Sequence, residues 1–233
     1  MRLLALDTAT TSCSVACWSA GAVIASDTKI AGRRQAEILM PMVKSVMKVA
    51  GFEYDMLDGI AVTTGPGSFT GVRIGLATAR GLALAAGLPL AGVSTLQALA
   101  AGSPPAERRG HRILAALDAR RDQVYAQLFE AAGGPAGDPF AAAADSIPRR
   151  LAEACPDQAP ILLVGSGSAL VAAVLDDVGW PYRHSNSPPY PCAATIAGIV
   201  AERGFDTSAS APVAPLYLRE PGVGPVRQSP AGA

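Results

Sequence analysis

The chain has 233 residues, of which half are hydrophobic and 16% charged, with a formal net charge of zero. That composition builds a substantial core and has room for two modest domains or one large one. It excludes the strongly basic surface expected of a protein that binds nucleic acid by charge alone.

Met1-Arg2 runs directly into strand residues, so no signal peptide is expected. Arg2 to Leu6 reads as a strand ending at Asp7, followed by the polar turn Thr8-Ala9-Thr10-Thr11-Ser12. Cys13 to Trp18 is a second strand, Gly21 a hairpin turn and Val23 to Ile30 a third strand. A helix follows over about 34–50, with Ile38, Leu39, Met42, Val43, Val46 and Met47 in a stripe wide enough for two surfaces. Pro41 kinks that helix or starts a shorter one. Met40, Met42 and Met47 suit either a contact surface or plain core, the commoner use.

The stretch from Gly59 to Gly87 organises the rest. A short apolar strand ends in Gly65-Pro66-Gly67-Ser68-Phe69-Thr70-Gly71, and a helix runs from about 72 to 86 before Gly87 and Pro89 stop it. A Walker loop needs Lys after Gly71, where Val72 stands; a dinucleotide fingerprint needs Gly at Thr70; a nucleophile elbow around Ser68 needs Gly at Pro66 and Thr70. All three fail; exposed amides at the helix start could still hold an anion, but a tight strand-to-helix joint is the commoner use of such a loop. Gly71, Gly75, Ala79 and Ala83 fall on one helical ridge at spacing four. Gly inside a helix costs about 1 kcal/mol relative to Ala, a cost that close helix packing offsets. The sequence alone does not choose whether the neighbour belongs to this chain or another. Arg73 in the first turn opposes the helix dipole and either meets an acid or is solvated.

Leu90 to Val93 is a strand, 95–101 a helix and 102–110 a linker or exposed loop. The uncharged run from Gly81 to Gly102 is broken by Pro89, Ser94, Thr95 and Gln97 and reads as buried elements, not a membrane span. The opening pattern then restarts: Ile113 to Leu117 is a strand ending at Asp118, and Gln123 to Phe129 a strand after a polar turn. The repeat predicts a duplicated α/β architecture, with lobes over 1–102 and 111–227 and a disordered tail over 228–233. Residues 131–144 read as a variable loop, Ile161 to Val164 as a strand, Gly165-Ser166-Gly167 as the turn into a helix ending near Leu175, and 192–203 as a helix.

Asp7 and Asp118 at strand ends, with Thr8, Thr10, Gly165 and Gly167, are candidate nucleotide contacts, since carboxylates hold hydrated Mg²⁺ and turns offer amides to phosphate. Asp at a strand end is more often a turn residue. Four Cys without metal-finger spacing suggest a reducing cytoplasm, and two His exclude a histidine-rich metal site. No catalytic nucleophile set can be placed.

Four runs carry a resemblance: Leu4-Ala5-Leu6-Asp7-Thr8-Ala9-Thr10, the eleven residues from Gly65 to Gly75, Gly92-Val93-Ser94-Thr95-Leu96 and Leu117-Asp118-Ala119-Arg120. With Gln123-Val124-Tyr125 and Pro215-Leu216-Tyr217-Leu218-Arg219, they resemble the TsaB (YeaZ) family, densely from Arg2 to about Phe129 and patchily beyond. The resemblance implies an actin-like, two-lobed ATPase fold. It also implies a non-catalytic subunit in the making of N6-threonylcarbamoyladenosine at adenosine 37 of tRNAs that read codons starting with adenosine. The expected partners are a TsaD-like catalytic subunit, a TsaE-like ATPase and, in isolation, a second copy, with tRNA met only through the complex. The catalytic paralogue carries His-x-x-x-His where this chain has Arg33-Arg34-Gln35-Ala36-Glu37-Ile38, and many family members have His-Ser where it has Arg34-Gln35. Asp7-Thr8-Ala9-Thr10 lacks the Gly usual in the first phosphate turn of actin-like ATPases. No cofactor or metal is therefore expected to be required by this chain; ATP or ADP with Mg belongs mainly to the partners. The expected partner face comprises Ile38, Met42, Val46, Gly71, Arg73, Gly75, Ala79 and Ala83, so Ala79→Arg and Ala83→Arg should break a heterodimer and leave the monomer folded. The rival readings are an actin-fold ATP-dependent phosphotransferase using Asp7 and Asp118 and, last, the peptidase that the label glycoprotease-like suggests.

Overall fold

Short apolar runs interrupted by glycine turns fold into ten strands and seven helices in the computed structural model, which describes residues 1–205 and 212–219. The first half runs β1 (Leu3–Asp7), β2 (Ser12–Ser19), β3 (Ala22–Ile30), α1 (Gln35–Ala50), β4 (Gly59–Gly65), α2 (Phe69–Ala86), β5 (Leu90–Ser94) and α3 (Thr95–Gly102). The second runs α4 (Pro105–Arg108), β6 (Arg112–Asp118), β7 (Gln123–Phe129), β8 (Phe140–Ala143), α5 (Ile147–Ala154), β9 (Ile161–Val164), α6 (Ser168–Val178), β10 (Tyr182–His184) and α7 (Ala193–Arg203). The sheet orders are β3-β2-β1-β4-β5 and β8-β7-β6-β9-β10, the same order twice. In each, an antiparallel meander joins parallel strands: β1 pairs β2 antiparallel and β4 parallel, as β6 pairs β7 and β9. The expected duplication is therefore present down to the pairing pattern.

Because side chains alternate across a strand, each sheet buries both faces. Leu4, Leu6, Val15, Ile60 and Val62 pack under α1 and α2, while Leu3, Ala5, Ala16, Ala61 and Val93 face α7 through Ile196, Ala197 and Val200. In the second sheet, Leu114, Ala116, Val124, Ala126 and Leu163 meet α5 and α6, while Ile113, Ala115, Leu117 and Val164 meet α3 through Leu96 and Leu99. Each half thus lends its last helix to the other half's sheet. The strands of the two sheets lie on either side of residues 102–111, whereas the helices cross over: α3 packs on the second sheet and α7 on the first.

Three further expectations change. Part of the loop expected over 131–144 is the edge strand β8, paired with β7. The linker after Gly102 contains α4. Pro41 does not split α1; it sits exposed within one continuous helix. After α7 the chain returns as a strap over residues 212–219. The Leu216 N–H donates to the Thr64 carbonyl at 2.7 Å, Arg80 donates to the Val213 carbonyl and Arg219 Nη1 donates to the Ala119 carbonyl at 3.3 Å. The strap therefore touches both lobes. The tail expected from Gln228 lies outside the described residues. Among the described residues no helix is long and apolar enough to cross a membrane.

Candidate functional site

The two strand-end turns converge on a cleft of about 590 Å³ between the lobes. Thr10, Arg33 and Ser68 line it from the first lobe, and Asp118, Arg120 and Tyr125 from the second. Thr10 and Asp118 are expected from their positions after the strands; Arg33, Ser68, Arg120 and Tyr125 are not, because no periodicity marks residues brought together from separate turns.

On the first side the turn is built shut. Gly65 has φ +101° and begins the loop, and the Ser68 N–H donates to the Ala9 carbonyl at 2.7 Å. A Cβ on Gly67 would overlap the Ala9 carbonyl and one on Gly71 the Thr8 carbonyl, so only glycine allows this approach. At Gly75 an added Cβ would lie 2.6 Å from Thr8 Oγ1, and that hydroxyl already donates to the Gly71 carbonyl at 2.7 Å. Ser68 caps α2 by accepting from the Gly71 N–H at 3.3 Å.

These contacts correct the expected partner face. The ridge Gly71, Gly75, Ala79 and Ala83 is buried against the first lobe's own β1 turn and core, and Met42 and Val46 are buried beneath α1. None of the six is presented to another chain. Arg at Ala79 or Ala83 would disrupt the core rather than spare the monomer. Ile38 is half-buried in a groove with Asp27, Lys29 and Pro41 beside β3, and Arg73 is exposed.

Asp7 and Thr8 are likewise structural, contrary to the candidate nucleotide role. Asp7 is fully buried; its Oδ1 accepts from Thr63 Oγ1 at 2.6 Å and from the Ala9 N–H at 3.1 Å, and Oδ2 accepts from Ser12 Oγ at 3.5 Å. Burial pushes its carboxyl up from 3.8 to about 6, with the hydrogen bonds opposing part of that rise. Gln35 is buried and donates to the Thr10 carbonyl at 2.9 Å, so the stretch lacking histidine holds the turn instead. Arg34 clasps Glu37 through two hydrogen bonds of 2.9 and 2.6 Å.

On the second side the glycine turn is also tightly packed, but its carboxylate faces the cleft. Asp118 Oδ1 accepts from the Arg120 N–H at 2.7 Å, and Ser166 Oγ accepts from the Asp118 N–H at 3.2 Å. Arg120, Arg121 and Asp122 take consecutive positive φ values of 66°, 55° and 56°, which carries Arg120 to the cleft mouth. Gly165, with φ +96°, and Gly167 press against Ala116 and Leu117; they are packing glycines, not cleft-lining groups, which corrects their expected ligand role.

A magnesium nucleotide of the kind the fold implies would meet a single carboxylate among the described residues of this cleft, with water and its own phosphates completing the metal's shell. Both Asp7 oxygens are engaged inside the core, leaving Asp118 as the carboxylate among the described cleft-lining residues. No group of three or more His, Cys, Asp or Glu suited to a metal occurs among the described residues. Burial raises the Cys13 and Cys17 thiols to about 12 and about 11, far from the thiolate a nucleophile needs.

Comparison with known proteins agrees with the duplicated fold. The family model described as TsaD, tRNA N6-adenosine threonylcarbamoyltransferase, matches residues 22–186. The tRNA threonylcarbamoyladenosine biosynthesis protein TsaB of Escherichia coli K12 is 46% identical over 125 residues, 54% of this chain and 53% of that protein. The chain spans about half the length of the curated TsaB relatives it matches. YeaZ from Pseudomonas aeruginosa superposes with a TM-score of 0.72 at 31% identity, covering 93% of this chain and 99% of that one. Component A of the Acidaminococcus fermentans (R)-2-hydroxyglutaryl-CoA dehydratase shares the fold alone, with a TM-score of 0.52 at 10% identity over 87% of this chain and 98% of that one. Two mixed sheets of identical order, each flanked by helices, form the actin-like ATPase fold, and the chain belongs to the TsaB (YeaZ) family.

Proposed function

We propose that this chain is a non-catalytic subunit of the assembly that makes N6-threonylcarbamoyladenosine at position 37 of tRNAs reading codons that start with adenosine. It acts in the cytoplasm by pairing with a TsaD-like transferase, with a TsaE-like ATPase joining the pair, and tRNA is met through the complex. In isolation it pairs with itself. The observation that carries the non-catalytic reading is the closed first turn, where Asp7 and Thr8 are buried and hydrogen-bonded within the lobe. Nucleotide and Mg²⁺ then belong to the partners and none is required here. The docking face is the outer side of α2, where Thr70, Ala77, Gly81, Leu84 and Ala85 are exposed and uncharged and Leu84 is 86% exposed. This outward face replaces the buried ridge of the sequence reading.

The test is reconstitution of the modification from threonylcarbamoyl-adenylate and unmodified tRNA, with this chain alone, the TsaD-like transferase alone and both, each with the TsaE-like ATPase and ATP present. Product that requires both proteins supports the proposal. Product from this chain alone would contradict it.

A further inference from the structure

The surface beside the strap holds an exposed cluster that joins α2 to the strap. Arg73 Cζ sits over the Phe69 ring, 3.6 Å from its centroid, and its Nε donates to the Tyr217 hydroxyl at 3.0 Å. The Phe69 and Tyr217 rings are 5.5 Å apart and remain 40% and 39% exposed. The guanidinium is thus held in place by two exposed rings, one from α2 and one from the strap. No carboxylate is among its described partners. None is available nearby in sequence either, since residues 59–106 contain no Asp or Glu. Arg80, the other cation of α2, is used to hold the strap through the Val213 carbonyl.

We propose that Arg73 is the charged anchor of a protein-docking face on α2, that it takes a carboxylate from the docked protein, and that Tyr217 on the strap positions it. The inference rests on the reading of α2's outer side as the docking face and names its anchor. Charge complementarity sets the ligand group: a cation with no carboxylate among its described partners, on an acid-free element, calls for an anion. The surroundings set the class of partner. Thr70, Ala77, Gly81 and Leu84 offer an uncharged, largely apolar surface, whereas binding along a phosphate backbone needs several cations. Aromatic and Arg anchors ringed by uncharged surface are characteristic of protein interfaces. Preordering by the two rings lowers the side-chain entropy lost on docking.

The test is the dissociation constant between the full chain and the TsaD-like transferase of the same organism, for wild type, Arg73→Glu, Arg73→Gln, Tyr217→Phe and Leu84→Asp. Arg73→Glu is expected to weaken the complex at least about tenfold, and reversing one partner acid to Lys should recover the loss. Arg73→Gln should flatten the salt dependence. Tyr217→Phe should weaken the complex about threefold, and have no further effect when Arg73 is already Gln. Unchanged circular dichroism and melting temperature would confirm that each variant is folded. If Leu84→Asp breaks the complex and Arg73→Glu does not, the anchor is wrong while the docking face stands. If neither weakens it, the docking face itself is wrong. If Arg73→Glu spares the protein complex but lowers tRNA retention, the partner is RNA and the inference is overturned.

Discussion

The two strand-end turns derive from one repeated pattern but are put to different uses. At the end of β1, Asp7 is buried, its oxygens accept three hydrogen bonds, and the loop from Gly65 presses onto Ala9. At the end of β6, Asp118 faces the cleft, and its one local bond supports a left-handed turn that displays Arg120. The same carboxylate-after-strand motif is structural in one half and open in the other. A two-lobed fold can therefore repeat a motif while giving its two copies different environments.

The largest expected effect is at the first turn's ridge. Ala79 has no exposed surface, so Ala79→Arg should destabilise the chain by more than about 4 kcal/mol, read by urea unfolding. Retention of a stable monomer would return the ridge to the partner. Gly71→Ala should cost about 3 kcal/mol because its Cβ would overlap the Thr8 carbonyl. In the second turn, Gly167→Ala meets the Leu117 carbonyl carbon at 3.0 Å and Ala116 Cβ at 3.2 Å, and should cost about 1 kcal/mol. Equal costs would show that Gly167 is held as tightly as Gly71.

Protonation sharpens the contrast. The folded-state carboxyl of Asp7 titrates at about 6 against 3.8 for the free group, so between these values the native state holds more proton than the unfolded one. Its contribution is fully present below 3.8 and is lost as pH rises through about 6, a change of about 3 kcal/mol. Asp7→Asn keeps acceptors for Thr63 and Ala9 and can donate to Ser12, so it should remove this slope and be the more stable form above pH 6. A wild-type stability that rises over this window would contradict the burial. The smallest effect is expected for Asp118→Asn, about 0.5 kcal/mol or less, since Asn still accepts from the Arg120 N–H.

Much of the fold was legible because its strands are short apolar runs punctuated by glycine and ending twice in Asp. What was missed follows from weak local signals. β8 reads Phe140-Ala141-Ala142-Ala143, poor in β-branched residues, and β10 has three residues at a sheet edge. α5 carries Pro in its first turn and follows a loop-like run. The Gly71–Ala83 ridge correctly signalled a close approach, but spacing cannot say what approaches, and here it is the turn after β1. Asp7 was found by position; its burial depends on Thr63 and Ser12, contributed by neighbouring strands. The exchange of α3 and α7 is a tertiary choice that the repeat does not encode locally.

The most direct measurement of the closed first turn is calorimetric titration of the isolated chain with ATP and Mg²⁺, followed by an assay for phosphate release. The buried Asp7, engaged by Thr63, Ala9 and Ser12, predicts no binding heat at micromolar nucleotide and no hydrolysis. Micromolar binding with turnover, lost in Asp7→Asn and Asp118→Asn, would contradict the account and make the chain an actin-fold enzyme in its own right.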